Sequence, residues 1–268
     1  MTISNNVLTI FFKAFAFWGI FQTLIVAVNP VFFALALPKW GNALALGILL
    51  SLIMVGLSRL FLKYDDLTID DLGMNYSYPS LKNSAIALVL GLIVFGLFYG
   101  VYYWLTPIAI QSIADVDILS ALIKIIAVYI ALSIMEEVVF RGYFLVKLET
   151  AVGIRSAIYI TSLAFGLYHG ITLDSITGPA VWGLVYGVLF YWSRGLAVPI
   201  GFHAGVNITQ AIFNQKTHFV DGIWTIDIIN VPTPFSIEQI SVAIQILLLI
   251  TGVALIEYYL RVVRPKRS

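Results

Sequence analysis

Residues 131–145 read ALSIMEEVVFRGYFL, and they place three charged side chains inside an otherwise apolar run. The run extends over about residues 119–147, and about 20 apolar residues are enough for an α-helix to cross the hydrocarbon core of a bilayer. A charged residue in the middle of such a helix costs roughly 2.5–3.5 kcal/mol on insertion scales. Glu136, Glu137 and Arg141 therefore need partners, and the stretch predicts a polar site enclosed by membrane helices.

The composition of the whole chain is typical of a membrane protein. Of its 268 residues, 60% are hydrophobic and 11% are charged, whereas soluble domains contain roughly 25% charged residues. The formal net charge of +1 gives no electrostatic reason to bind nucleic acid, so no nucleic-acid partner is expected. The chain has no cysteine, which excludes disulfides, thiolate metal sites and cysteine nucleophiles.

The apolar stretches predict an all-α, polytopic membrane protein, a single integral domain over residues 1–268 with its motif-bearing core at about 119–213. The basic residues collect in the loops of one side, and Lys39, Lys124 and Lys216 lie on the other. The positive-inside rule then places both termini in the cytoplasm. About eight spans in the lipid bilayer are predicted, near residues 7–28, 42–62, 83–105, 119–147, 156–170, 178–193, 196–213 and 239–261.

Two of the later spans each carry a histidine. Phe165 and His169 are four residues apart in one of them, and His203 and Asn207 are four apart in the other, so each pair shares a helix face. Small residues at helix interfaces let backbones approach closely. Such residues flank both histidines: Gly166, Gly170, Gly201 and Gly205.

Glu136, Glu137 and Arg141 can reach different partners within a helix. Glu137 and Arg141 are four residues apart, so they can form an ion pair within one helix. Glu136 points roughly 100° away from Glu137 and is less easily reached by that arginine. We expect Glu136 to be the freer carboxylate, facing a cavity. A purely structural cluster that holds helices together remains the alternative.

This combination of side chains is suited to hydrolysis. A carboxylate and a neutral imidazole can together deprotonate and orient a water molecule. A second imidazole and a carboxamide can donate hydrogen bonds to an oxyanion, where one donor is typically worth about 2.7–4 kcal/mol. Two histidines and a glutamate also make a hydrolytic zinc set, but the zinc helix with two histidines around a glutamate is absent. No cofactor is therefore expected, and zinc stays a minority alternative.

The motifs Glu136-Glu137-x-x-x-Arg141, Phe165-x-x-x-His169 and His203-x-x-x-Asn207 stand in this order within about residues 133–207. They resemble the three motifs of the CAAX protease and bacteriocin-processing (CPBP/Abi) family. Its members are eight-helix intramembrane glutamic endopeptidases related to the prenyl-protein CAAX endopeptidases. The resemblance implies hydrolysis of a peptide bond in a membrane-associated or prenylated protein or peptide, without a metal.

The resemblance also implies a role for each motif residue. Glu136 would be the catalytic base and, with His169, would activate the attacking water. His203 and Asn207 would stabilise the oxyanion. Glu137, Arg141 and Phe165 would be supporting residues of the site.

Other interpretations use the same residues. A non-catalytic membrane scaffold or bacteriocin-immunity protein could bind a partner through the same polar cavity. A transporter could use Glu136 and His169 as a proton relay, although the chain lacks the internal repeat that transporters often have. The acidic stretch at residues 65–71 does not have the spacing of a calcium loop, and we interpret it as a solvated loop.

Overall fold

The computed structural model describes residues 7–34, 37–65, 67–74 and 77–264, and eight α-helices lie within these ranges. Six of the predicted spans each overlap one helix of their own. Span 119–147 covers nearly all of the helix Ile118–Glu137 and the start of the helix Phe144–His169, and span 156–170 covers the later part of the second of these helices. The prediction of an all-α polytopic membrane protein is confirmed. The helices are α1 Val7–Ala34, α2 Lys39–Leu62, α3 Tyr78–Leu105, α4 Ile118–Glu137, α5 Phe144–His169, α6 Leu173–Ser193, α7 Ala197–Ile212 and α8 Ile237–Tyr258.

Five segments of the described chain are long and apolar enough to cross a membrane, which supports an integral membrane protein. One of them has 52 residues and contains both α4 and α5. Helix α7 has 16 residues, too few to reach across alone, and it packs against α3, α4 and α6. The five segments are Val7–Phe32, Lys39–Leu62, Tyr78–Leu105, Ile118–His169 and Ile237–Val263.

Glycine brings the backbones of α3 and α7 into contact. A Cβ atom on Gly201 would lie 2.0 Å from the carbonyl oxygen of Ser84, and one on Gly205 would lie 2.2 Å from that of Leu88. No side chain fits in either place, so the predicted packing role of these two glycines is confirmed. Their close approach holds α7, which carries His203, against α3.

The chain between α4 and α5 is not the regular helix that span 119–147 predicts. A π-helical segment, Val138–Tyr143, follows α4, and within it Gly142 has the non-helical angles φ −74° and ψ −120°. Gly153 interrupts α5 with φ +74°, a conformation that glycine adopts without steric cost. Single π-helical turns often occur at functional sites, and here the wider turn begins directly after Glu137.

A two-stranded antiparallel sheet lies outside the helices and was not predicted. Strand β1, Ile108–Ser112, pairs with β2, Trp224–Ile228, so that Ile110 faces Ile226. Strand β1 precedes α4, and β2 follows α7. The sheet therefore links the chain that leads into α4, which carries the glutamates, to the chain that leaves α7, which carries His203.

Candidate active site

The carboxylate of Glu137 is the centre of the polar site. Its Oε1 accepts a hydrogen bond from Arg141 Nη1 at 3.2 Å and another from His203 Nδ1 at 2.8 Å. Arg141 Nη2 donates to the carbonyl oxygen of Gly183 at 3.1 Å. The ion pair predicted from the four-residue spacing is confirmed, and its side chains are 0% and 1% exposed. Glu137 thus joins α4, the π-helical segment, α6 and α7.

Glu136 has fewer contacts than its neighbour, as the helical spacing predicts. Its Oε2 lies 3.4 Å from His203 Nε2 but accepts no hydrogen bond from the described residues. Because Nδ1 of His203 faces Glu137, its Nε2 is the nitrogen directed toward Glu136 Oε2. A carboxylate oxygen with free hydrogen-bonding capacity beside an imidazole is an arrangement suited to acid–base chemistry. We call Glu136, Glu137, Arg141 and His203 the site cluster.

His169 ends α5 beside the site cluster. Its Nδ1 lies 2.8 Å from the carbonyl oxygen of Phe165. Since a carbonyl can only accept, Nδ1 donates, and Nε2 of the neutral ring is left as an acceptor. The Phe165 ring centroid is 4.7 Å from that of His169 and 5.8 Å from that of His203. Because His169 is exposed, the polar site reaches the protein surface on this side.

Aromatic rings enclose the arginine and one histidine. The guanidinium carbon of Arg141 lies 4.6 Å from the ring centroid of Phe165 and 5.2 Å from that of Tyr186. The Tyr186 ring also stacks on His203, with centroids 4.3 Å apart and planes at 19°. Cation–π contacts of this kind are strongest away from water. Tyr186 belongs to no motif, and the only signal near it is the small-residue spacing of Gly183 and Gly187.

Asn207 lies one turn beyond His203 on α7 and is 7% exposed. It occupies the same face of the helix, as its spacing predicts. Among the described residues, no three His, Asp or Glu side chains are grouped so that they could hold a metal ion. The metal-free mechanism is a prediction that a chelator can test.

One residue near the site, Lys216, stands in no motif, and from the sequence it was assigned only to the loop charges. The loop after α7 folds back so that Lys216 Nζ lies 5.9 Å from the ring centroid of Tyr129, on α4. The Tyr129 hydroxyl donates to the carbonyl oxygen of Lys216 at 3.3 Å. The ammonium of Lys216 interacts electrostatically with both Glu136 and His169. No pattern in the sequence indicates this contact.

The part of the chain that contains this site matches a known protein family. A family model described as "Type II CAAX prenyl endopeptidase Rce1-like" matches residues 118–209. This segment is similar to the Rce1-like family. The match covers about a third of the chain and contains all three motifs, so the resemblance to the CAAX protease and bacteriocin-processing family is confirmed.

The Rce1-like segment comprises α4, α5, α6 and most of α7. The matched family is described as one of CAAX prenyl endopeptidases, and this likeness is the basis for the function proposed below. No curated protein matches the chain.

Proposed function

We propose that this protein is an intramembrane endopeptidase that hydrolyses a peptide bond in a membrane-associated or prenylated protein or peptide, with Glu136 as the base. One observation carries the proposal. Glu136 keeps an oxygen without a hydrogen-bond donor, 3.4 Å from an imidazole whose other nitrogen is fixed by Glu137. A carboxylate with this free capacity can take a proton from water.

The charges of the site cluster fit this assignment. When both nitrogens of His203 carry a proton, two carboxylates face one guanidinium and one imidazolium, and the four charges balance. Glu136 is then unprotonated and can act as the base, while His203 Nε2–H can donate to an oxyanion. Balanced charges are the least costly way to keep ionised groups out of water.

The reaction follows from these positions. Glu136 removes a proton from a water molecule that also donates to His169 Nε2, and the water oxygen bonds to the scissile carbonyl carbon. The carbonyl oxygen becomes an oxyanion, which His203 and the amide of Asn207 stabilise. Glu136 then gives the proton to the amide nitrogen, the C–N bond breaks, and an acid and an amine leave.

The supporting residues keep this geometry. Glu137 fixes the ring of His203 from one side, and the Tyr186 ring fixes its plane from another. Arg141 holds Glu137 and is itself held by the Gly183 carbonyl. We also propose that both termini are cytoplasmic, because the basic loops collect on one side.

The deciding experiment replaces Glu136 by glutamine, which keeps the size of the side chain but cannot accept the proton. Cleavage of a fluorescent prenylated peptide in liposomes should fall by about 10²–10⁴-fold, the usual contribution of a general base. Glu238→Gln, an exposed position on α8, is the matched control and should retain activity.

Three results would change the proposal. Undiminished turnover by the Glu136→Gln variant would rule out the glutamate mechanism. Loss of wild-type activity with a chelator, restored by zinc, would replace it by a metal mechanism. If the wild type cleaves no peptide but a protein partner co-purifies with it, the scaffold interpretation is favoured.

A further inference from the structure

A groove of about 390 Å³ lies between α5, α6 and α8. Most of its lining is apolar, and Leu163 and Ile246 at its sides are 53% and 52% exposed. Helices α5 and α8 both belong to segments that are long and apolar enough to cross a membrane. The groove is therefore open to the lipid phase. Three polar side chains also line it: Ser162, Thr177 and Gln245.

Ser162 is the most deeply buried of these polar residues. It is 2% exposed, and its hydroxyl has no hydrogen-bond partner among the described residues. Seven residues earlier on α5, Arg155 forms an exposed ion pair with Glu257 of α8. Charges are costly in hydrocarbon, so this pair indicates where the two helices reach the membrane surface. Ser162 then lies about 10 Å deeper along α5.

Gln245 is the second polar residue of the groove with an unused hydrogen-bonding group. Its Oε1 accepts from Thr177 Oγ1 at 3.5 Å, but its amide nitrogen donates to no acceptor within the ranges that the structure describes. Gln245 stands eight residues after Ile237, where α8 begins, and twelve before Glu257. It is thus about 12 Å from one end of α8 and about 18 Å from the surface charges at the other.

The depth of these two groups decides which occupant fits the groove. Polar groups in hydrocarbon are costly, and in membrane proteins they pair across helix interfaces. Acyl chains offer no donor or acceptor, since the oxygens of lipids lie in the interfacial regions outside the core of about 30 Å. A transmembrane helix with hydroxyl or amide side chains can supply partners for both groups.

The distance between the two groups sets the pattern that such a helix must carry. Ser162 lies against Gly183, because a Cβ atom there would be 2.9 Å from Ser162 Cα, and Gln245 is bonded to Thr177. Thr177 and Gly183 are six residues apart on α6, which is about 9 Å. Positions seven residues apart on a second helix share a face and are about 10.5 Å apart. Between the two groups, the small side chain of Ala180 lines the groove and permits close approach.

We propose that this groove binds a transmembrane helix of a partner protein that has hydroxyl or amide side chains seven residues apart. One of these side chains pairs with the Ser162 hydroxyl, and the other accepts from the Gln245 amide. Leu163 and Ile246 pack against the apolar flanks of the bound helix. The proposal does not depend on the catalytic role of Glu136.

The test uses two fluorescent polyleucine helices of identical composition, each with two serines. The serines are seven residues apart in one peptide and five apart in the other, which turns them about 140° from each other. Because the chain has no cysteine, the protein can be labelled at one introduced cysteine. Energy transfer in liposomes then measures association. Since each interhelical hydrogen bond contributes little, the wild type should bind the seven-residue peptide about three- to tenfold more tightly.

Variants then assign the preference to the groove. Ser162→Ala and Gln245→Leu should each reduce the preference, and the double variant should bind both peptides equally. Ala180→Phe fills the groove and should weaken the binding of both peptides. Ala243→Phe is its matched control, because Ala243 is exposed on α8 outside the groove, and it should leave both affinities unchanged.

Two results would overturn the proposal. Equal affinity of the wild type for the two peptides would mean that lipid, and not a specific helix, covers the groove. A preference that persists in the double variant would mean that the peptide binds elsewhere. The Glu136→Gln variant separates this site from the proposed function, since it should keep the wild-type preference between the peptides.

Discussion

The site cluster, which includes Arg141, and a second buried charge cluster, which includes Tyr143, lie on either side of Gly142, and they differ in how many of their polar atoms are hydrogen-bonded. In the second cluster, which we call the Asp65 cluster, Asp65 Oδ1 accepts from Lys13 Nζ at 2.6 Å and from Lys147 Nζ at 2.7 Å. Its Oδ2 accepts from the Tyr143 hydroxyl at 2.6 Å. Both oxygens of the buried carboxylate are therefore occupied, and the Asp65 side chain is 1% exposed.

The site cluster is less complete. Glu136 Oε2, Glu137 Oε2 and Arg141 Nε are all buried without a hydrogen-bond partner among the described residues. A buried polar atom left in this way costs roughly 1–3 kcal/mol. The difference fits a stabilising role for the Asp65 cluster and agrees with the binding of water and substrate that we propose for the site cluster.

The largest effect that distinguishes the clusters is expected for Asp65→Asn. The neutral amide leaves Lys147 buried without its counter-charge, so the free energy of unfolding should fall by about 3–5 kcal/mol. Unfolding in mixed micelles of dodecyl sulfate and dodecyl maltoside measures this loss. The activity of the protein that remains folded should be unchanged, because Asp65 touches none of the reacting groups.

Asp221→Asn is the control for that variant. Asp221 pairs with Lys39 in an exposed ion pair, and exposed pairs contribute at most about 1 kcal/mol. Equal losses for the two variants would mean that the Asp65 cluster has no special role in stability.

A smaller effect, on activity instead of stability, is expected for Tyr186→Leu. Removing the ring takes away the stacking on His203, and an aromatic pair is worth roughly 0.5–1.5 kcal/mol. We expect kcat/KM to fall by about two- to tenfold, because His203 loses its fixed plane. Tyr258→Leu, a half-exposed ring on α8, is the control and should retain the wild-type kcat/KM.

The smallest effect is the pH dependence of the Asp65 cluster. Burial raises the pKa of Asp65, but the hydrogen bonds from Lys13, Lys147 and Tyr143 outweigh it and hold the pKa below its ordinary 3.8. A carboxyl whose pKa is lowered on folding stabilises the protein above the unfolded pKa, and this stability is lost as the pH falls through the folded pKa.

The wild type should therefore be more stable than Asp65→Asn by a constant amount from about pH 7 to about pH 4. Below about pH 4 the difference should narrow as Asp65 takes up a proton. Thermal unfolding of both proteins in dodecyl maltoside follows this difference. A gap that widens on acidification would contradict the assignment of a lowered pKa.

The sequence could predict what depends on residues close together in the chain. Apolar length predicted the helices, and a spacing of four residues predicted the ion pair of Glu137 with Arg141. The interpretation of residues 65–71 as a solvated loop was wrong for Asp65, because its partners Lys13 and Lys147 are 52 and 82 residues away. A distant partner leaves no periodic signal.

The same reason explains the other omissions in the site. Tyr186 and Lys216 reach the site cluster only through tertiary packing, and neither stands in a motif. Apart from the glycine at position 142, the composition of the π-helical segment does not distinguish it, and glycine is also frequent in ordinary membrane helices. The roles of His169, His203 and Asn207 in catalysis stay predictions.

The small sheet links the chain that leads into α4 to the chain that leaves α7. Ile110 faces Ile226 in the ladder, so β1 and β2 tie the entrance of α4 to the exit of α7. A slip of one residue would displace the strands by about 3.4 Å and turn every side chain to the opposite face. That displacement exceeds the 2.8 Å that separates His203 from Glu137. The strand register thus constrains where the chain enters α4 relative to where it leaves α7, and with them the positions of the glutamates and His203.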